Sequence, residues 1–332
     1  MEIVTDLTAC RPPPTGSAVT IGAYDGVHRG HRALLAELSA EAGRKGLTTV
    51  VVTFDRHPAE VVRPGSAPKL LCDLDQKLEL LAGAGVERTV VVPFDETRAN
   101  ETAEEFVHEV LERRLDARLV VVGEDFHFGH GRKGNVALLR EMGLRDGFAV
   151  EGISLTASPP ARGEGDPTAD GPPGADATVT ISSTRIRALV AAGQVREAAA
   201  LLGRPHQVRG TVVHGDNRGG AELGFPTANL DVSPAIALPG TGIYAGWYER
   251  GGGRRWPAAV SVGRRPTFYG GGGRLLVEAF LLDFSGDLYG EEARLSFVDR
   301  LRDEQPFPSV ESLVAQMHRD VEVTRATLAA QP

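Results

Sequence analysis

Apolar positions in the first 155 residues fall in short continuous runs: Val19-Thr20-Ile21, TTVVVTF (Thr48 to Phe54), RTVVVPF (Arg88 to Phe94), RLVVVGEDF (Arg118 to Phe126) and FAVEGISL (Phe148 to Leu155). Their length and β-branched content predict strands buried on both faces. The stretches between them carry helical spacing, as at Leu34, Leu35 and Leu38, from Asp75 to Ala82 and from Ala103 to Arg114. Buried strands alternating with helices predict an α/β domain with a doubly wound parallel sheet, in which ligands bind beyond the carboxyl ends of the strands. Past about His206 the pattern changes to short strands broken by glycine: QVRGTVVHG, GIYAGWYER, WPAAVSVG, LLVEAFLLDF and EARLSFVDRL. That spacing predicts an antiparallel barrel or sandwich, and the helix expected from Val310 to Leu328 could cover one of its faces.

Between the two patterns, Ser158 to Ala177 is rich in Pro, Gly and acid with almost nothing to bury, and reads as a disordered surface loop. After it, VTISSTRIRALVAAGQVREAAALLGRP reads as a strand and two short helices ending at Gly203 and Pro205. The expected division is one domain over residues 1–205 and a second over 206–332.

Composition narrows the class. A length of 332 residues favours two domains, and 42% hydrophobic with 24% charged residues is ordinary for a globular protein. A net charge of −8 without a long basic stripe argues against nucleic acid as a partner. No apolar run approaches the roughly 20 residues of a membrane span, and MEIVTDL lacks the order of a signal peptide, so a cytoplasmic protein without a membrane partner is expected. Cys10 and Cys72 have no metal spacing and read as free thiols.

The chemistry concentrates after strands. Val19 to His31 reads VTIGAYDGVHRGH: a strand, a turn eased by Gly22 and Gly26, and His28 and His31 three apart where a helix begins. Unpaired N–H groups at a helix start, together with two imidazoles one turn apart, suit a phosphate, although two histidines could also cap an ordinary helix. TFDRHPAEVVRP sets His57 past the second strand, and VVGEDFHFGHGRKGN sets Asp125 and Phe126 past another. His57, like His127, could be structural, and Asp125 a simple turn acid. ISSTRIR presents Ser182, Ser183 and Thr184 at a helix start with Arg185 in the first turn; the serines suit either a cap or a phosphate, and the arginine fork suits a triphosphate tail. In GTVVHGDNRGGAELGFPTANL a glycine-rich loop with Gly215, Gly219 and Gly224 leads through Pro226 to Thr227 and Asn229, which offer oxygen ligands to a hard cation such as Mg²⁺. Glu278 lies among apolar residues in LLVEAFLLDF; it could take a hydroxyl proton in a pocket or lie on a solvent face.

Taken together, GAYDGVHRGH, GEDFHFG, ISSTRIR, LGFPTANL and VEAFLLDFSGDLYG, in that order from Val19 to about Asp320, resemble the bacterial bifunctional riboflavin kinase and FAD synthetase family. The resemblance implies a Rossmann-like nucleotidyltransferase domain followed by a riboflavin kinase β-barrel. It also implies two reactions: ATP phosphorylates riboflavin to FMN, and a second ATP adenylylates FMN to FAD and pyrophosphate. His28 and His31 would then act at the ATP α-phosphate and Arg185 at the phosphate tail. Gly22, Tyr24, Asp25, Gly30, His57, Asp125, Phe126, Ser182, Ser183 and Thr184 would lie around the nucleotide. In the kinase, Thr227 and Asn229 would hold Mg·ATP and Glu278 would be the base, with Gly215, Gly219, Gly224 and Pro226 in the nucleotide loop. The partners implied are the small molecules riboflavin, FMN and ATP, acting on a monomer or weak homo-oligomer. Departures from the family pattern stand at Ala23-Tyr24, where Asn-Phe is common, at Arg56, where proline is common, at Phe280, where histidine is common, and in the segment Ser158 to Ala177, which is longer than usual.

Overall fold

In the computed structural model, residues 1–154, 156–157, 179–214, 227–264 and 275–330 are described. The region expected to be a surface loop, Ser158 to Ala177, lies outside them. By its contacts the chain divides into Met1–Pro68 with Asp73–Ser182, and Lys69–Cys72 with Ser183–Pro332.

The first unit runs β1 (Glu2–Val4), β2 (Ser17–Ile21), α1 (Arg29–Lys45), β3 (Thr48–Phe54), α2 (Pro58–Val62), α3 (Leu74–Gly83), β4 (Arg88–Val92), α4 (Glu96–Asn100) and α5 (Ala103–Phe106). The last continues as a π-helical stretch, Val107–Arg114, before β5 (Ala117–Gly123), the small hairpin β6 (His127–Phe128) and β7 (Gly134–Asn135), α6 (Val136–Asp146) and β8 (Ala149–Ile153). β9 (Thr156–Ala157) pairs antiparallel with β10 (Val179–Thr180).

The main sheet has the order β1-β4-β3-β2-β5-β8, and every pairing is parallel. Its centre is buried on both faces. Val19 and Ile21 of β2 pack with Phe106, Leu111 and Leu139, whereas the intervening Ala18 joins Leu34, Leu35 and Leu38 of α1 on the opposite side. Each such leucine withdrawn from water contributes about 2 kcal/mol. From β2 the chain builds outward through β3 and β4, then returns to add β5 on the other side of β2. The strand order therefore reverses at β2 and β5, and an open α/β sheet leaves its ligand crevice at such a reversal.

In the second unit α7 (Ser183–Ala191) and α8 (Val195–Leu202) precede a closed antiparallel barrel. Its strands are β11 (His206–Val213), β12 (Thr227–Val232), β13 (Gly242–Arg250), β14 (Arg255–Arg264), β15 (Leu275–Leu281) and β16 (Glu292–Arg302), ordered β11-β12-β15-β14-β13-β16. Between barrel and sandwich, the structure therefore chooses the barrel. Alternate residues, among them Val208, Leu230, Tyr248, Val260, Val277 and Leu295, fill its interior.

α9 (Val310–Ala329) lies on β13, β14 and β16, with Leu328 against Ala245 and Val298. Arg302 locks it down: its Nε and Nη2 donate to Asp320 at 2.9 and 2.7 Å, and Gln316 Nε2 donates to the same carboxylate at 2.8 Å. Only 9% of the Asp320 side chain is exposed. Asp320→Ala would leave the guanidinium part-buried without its partner, so a loss of about 3 kcal/mol is expected. Denaturant unfolding checks this, and a change below 1 kcal/mol would mean that apolar contact alone holds the helix.

Candidate active sites

The turn after β2 is tightly constrained. Gly22 N donates to Val52 O at 3.0 Å, and three residues follow in left-handed backbone: Tyr24 at φ +50°, Gly26 at +80° and Val27 at +39°. For a β-branched residue such a φ is costly, on the order of 1–3 kcal/mol, and strain of this kind concentrates where a site over-determines its backbone. Val27 is held there by burial and by a bond from its N–H to Tyr24 O at 3.2 Å. Gly22 is favoured by crowding rather than by φ, because a Cβ there would stand 3.1 Å from the Tyr24 ring and the ring would have to give by a few tenths of an ångström.

α1 starts at the histidines. His28 is its N-cap, and His28 Nδ1 accepts the backbone N–H of His31 at 3.3 Å. A nitrogen that accepts this bond carries no proton, so the neutral ring holds its proton on Nε2. The two imidazoles stack with centroids 3.6 Å apart, and the Tyr24 ring lies 4.9 Å from that of His31. Gly30 eases the stack: a Cβ at that position would press to 3.3 Å on the His28 ring. Capping and anion binding are therefore not alternatives here, since the cap bond fixes the ring that would meet the anion. The first turn of α1 itself holds no acidic residue.

Burial, then the neighbouring His28, then Lys77 hold the His31 imidazole well below its usual pKa. It is neutral at pH 7. Its Nδ1 is buried without a hydrogen-bond partner among the described residues. Tyr24 faces inward, its hydroxyl 2.7 Å from Thr20 Oγ1, and burial pushes the phenol pKa up. Tyr24 is thus the wall behind His31. Asp25 is buried in the same turn.

The other candidates are distributed unevenly. His57 caps α2, with Nδ1 accepting Ala59 N–H at 3.1 Å while Glu60 accepts the His57 N–H at 3.0 Å. Past β5, at the strand-order reversal, Asp125 is exposed in the turn and its carbonyl lies 2.8 Å from His127 Nδ1. Phe126 stacks on Phe128 with centroids 5.3 Å apart. Ser182 closes the first unit, whereas Ser183, Thr184 and Arg185 open α7 in the second, with Thr184 and Arg185 exposed.

In the barrel, Thr227 and Asn229 lie on β12. The register sets Asn229 directly opposite Glu278 on β15, Thr227 opposite Phe280, and Ser261 of β14 on the far side of Glu278. Thr227, Asn229, Ser261 and Glu278 are half-buried, while Ala228, Leu230, Val277 and Ala279 are buried in the alternate positions. The polar residues thus share the face opposite the packed interior. Gly215, Gly219, Gly224 and Pro226 lie outside the described residues. A groove of about 400 Å³ elsewhere in this unit, bordered by Ala191, Pro239, Arg264 and Arg300, includes none of the four polar residues in its lining.

Among the described residues, His108, Glu112 and Asp146 form a cluster with metal-ligand spacing, but the exposed Arg145 already binds Asp146 with two bonds of 2.7 Å. A guanidinium there supplies the positive charge.

With these sites in view, comparison with known proteins decides the family. A FAD synthetase model matches residues 10–158 and a riboflavin kinase model residues 202–328. A bifunctional riboflavin kinase/FMN adenylyltransferase of Pseudomonas fluorescens is 36% identical over 99% of this chain and 98% of its own. The enzyme of the same name from Escherichia coli K12 is 37% identical over 93% and 91%. The chain belongs to this bifunctional family. It accordingly phosphorylates riboflavin to FMN and adenylylates FMN to FAD. A solved structure from Streptococcus pneumoniae, described as a macrolide-efflux protein, superposes with a TM-score of 0.81 at 31% identity, covering 97% of this chain and 98% of that one. Among the described residues no helix is long and apolar enough to cross a membrane. The family's fold expectation holds in both halves: a parallel sheet with helices on each side, then a closed antiparallel barrel.

Proposed function

We propose that the two reactions divide at about residue 205, with adenylyl transfer in residues 1–205 and riboflavin phosphorylation in 206–332, although α7 and α8 pack with the barrel unit. The observation that carries the first half is the stacked His28–His31 pair at the start of α1, beside the reversal in strand order. A phosphate oxygen of FMN attacks the ATP α-phosphorus, and the bond from that phosphorus to the pyrophosphate oxygen breaks. His28 Nε2–H, His31 and the free N–H groups of α1 then stabilise the charge that builds on the phosphates. Gly22, Asp25 and Gly30 shape this pocket, Tyr24 backs it, and His57, Asp125 and Phe126 border the nucleotide. Ser182, Ser183, Thr184 and the Arg185 fork are assigned to the phosphate tail on the resemblance of ISSTRIR to the family motif.

For the kinase, the cross-strand pair Asn229–Glu278 carries the reading. Glu278 takes the proton of the riboflavin 5′-hydroxyl as its oxygen bonds to the γ-phosphorus of ATP and ADP leaves. Thr227 and Asn229 offer oxygen donors on the same face, which fits a hard cation such as Mg²⁺. When bound with ATP, that cation neutralises phosphate charge. The glycine loop of Gly215, Gly219, Gly224 and Pro226 is assigned to the same nucleotide by its motif. The protein works on these small molecules in the cytoplasm, a placement to which the buried Cys10 and Cys72, which form no disulfide, are suited.

Thr227→Ala and Asn229→Ala test the cation assignment. Each is expected to raise the Mg·ATP needed for half-maximal FMN formation and to slow turnover, while adenylylation of supplied FMN is unchanged. Rates are measured by chromatographic separation of riboflavin, FMN and FAD across a Mg²⁺ series. An unchanged Mg²⁺ dependence in both variants would remove these residues from the nucleotide.

A further inference from the structure

Four lysines occur in the chain, and Lys45, Lys69 and Lys133 are exposed. Lys77 is 8% exposed. It follows a helix start capped by Asp73, whose carboxylate accepts Gln76 N–H at 2.7 Å. It stands four residues before the fully buried Leu81, on the inward side of α3. Taking an ammonium out of water is expensive, so a buried lysine needs a reason in its surroundings.

Those surroundings lead to the phosphate turn. Lys77 Nζ donates to Phe54 O at 3.0 Å and to Thr53 Oγ1 at 3.4 Å, at the carboxyl end of β3. Thr53 Oγ1 in turn donates to Ala23 O at 3.3 Å, inside the turn between β2 and His28. One hydrogen-bonded chain therefore runs from α3 through the last residues of β3 to the strained turn. The charge of Lys77 is also felt at His31, the ring whose buried Nδ1 has no partner among the described residues.

We propose that Lys77 is a positioning residue for adenylyl transfer, holding the turn before His28 and His31 in its phosphate-binding shape through Thr53 and adding a fixed positive charge beside that anion site. This rests on the assignment of the two histidines to the ATP phosphates. A lysine suits the task because it is a compact charge with three donors, two of which reach the β3 end while the charge itself acts through space.

The test uses the full chain with Lys77→Met, which keeps the length and removes the charge, Lys77→Arg, which keeps the charge, and Thr53→Val, which cuts the link to Ala23. Measured for each are kcat and KM for FMN adenylylation, inhibition of that reaction by inorganic pyrophosphate, riboflavin phosphorylation by the same preparation, and melting temperature. Lys77→Met is expected to lose about tenfold or more in adenylylation kcat/KM, since removal of one nearby charge is worth at least that in a poorly solvated site. Pyrophosphate should inhibit it more weakly, with phosphorylation unchanged, and Lys77→Arg should recover part of the loss. Thr53→Val should slow adenylylation with pyrophosphate inhibition near normal. Should Lys77→Met melt early, Thr53→Val and Lys77→Arg carry the comparison. Wild-type adenylylation in Lys77→Met overturns the proposal. So do equal losses in the Met and Arg variants with unaltered pyrophosphate inhibition, which would make Lys77 a packing residue. Full adenylylation in His28→Ala and His31→Ala would instead bring down the underlying assignment of the histidines, and is read independently of Lys77.

Discussion

His28→Ala and His31→Ala should each cut FAD formation from FMN by about a hundredfold or more while FMN formation from riboflavin stays near normal. Loss of one donor to a developing phosphate charge costs on the order of 3 kcal/mol, which sets that size. The structure refines the experiment, because His28 has a structural task besides the proposed one. Its Nδ1 caps α1, which leaves Nε2 of the neutral ring as the donor proposed to meet the phosphate. Alanine removes both functions, and loss of the cap alone costs about 1 kcal/mol of stability. His28→Asn separates them, since asparagine is a strong N-cap but lacks a donor at the imidazole position. It is expected to melt like the wild type and still lose adenylylation. Recovery of activity in His28→Asn would reduce His28 to a cap. If FMN formation fell as far as FAD formation in either alanine variant, with melting unchanged, the division of the two activities would fail.

How far the residues alone could be read depended on the range of the forces involved. Thr48 to Phe54 was delimited to the residue because five consecutive apolar or β-branched positions buried on both sides leave no ambiguity about where the strand runs. At β5 the reading ran three residues long: RLVVVGEDF continues as text, but after Gly123 the backbone turns, with Phe126 N–H donating to Gly123 O at 3.0 Å. Glu2–Val4 gave no signal, being three half-exposed or exposed residues whose strand exists only because β4 pairs with it. In Thr227–Val232 the ligand oxygens of Thr227 and Asn229 draw attention from the buried alternation of Ala228, Leu230 and Val232 that marks a strand. The π-helical Val107–Arg114 could not be foreseen, because Val107, Val110 and Leu111 fit ordinary helical spacing equally well.

The site divides in the same way. His28 and His31 were legible because their neighbours in sequence are their neighbours in space. Lys77 is not legible in the same way: its spacing to Leu81 places it on the apolar side of α3, but the tie through Thr53 to Ala23 spans separate elements and has no trace in spacing. Tyr24 shows the converse. A departure from the family pattern in the turn before His28 is absorbed by packing, with the ring against Gly22 and His31 and the hydroxyl on Thr20.

Glu278→Gln should stop riboflavin phosphorylation, by about a hundredfold to ten-thousandfold, and leave adenylylation of supplied FMN intact. The 5′-hydroxyl is a poor nucleophile at neutral pH, so a carboxylate within reach matters as its proton is lost. Glutamine keeps the size but cannot take the proton. The barrel adds a sharper expectation. Glu278 sits between Asn229 and Ser261 on a half-buried polar face, so glutamine retains hydrogen-bonding capacity toward both neighbours. The fold and the affinity for substrate should therefore change little, and the loss should appear in kcat rather than KM, as expected for a group that acts mainly in the transition state. Both half-reactions are measured on the variant, one from riboflavin and one from FMN, with melting as a control. A loss confined to KM would make Glu278 a binding residue for the nucleotide or its cation, alongside Asn229. Full kinase activity would return it to the solvent side of an ordinary barrel strand, where the same alternation of buried and half-buried positions would need no chemistry at all.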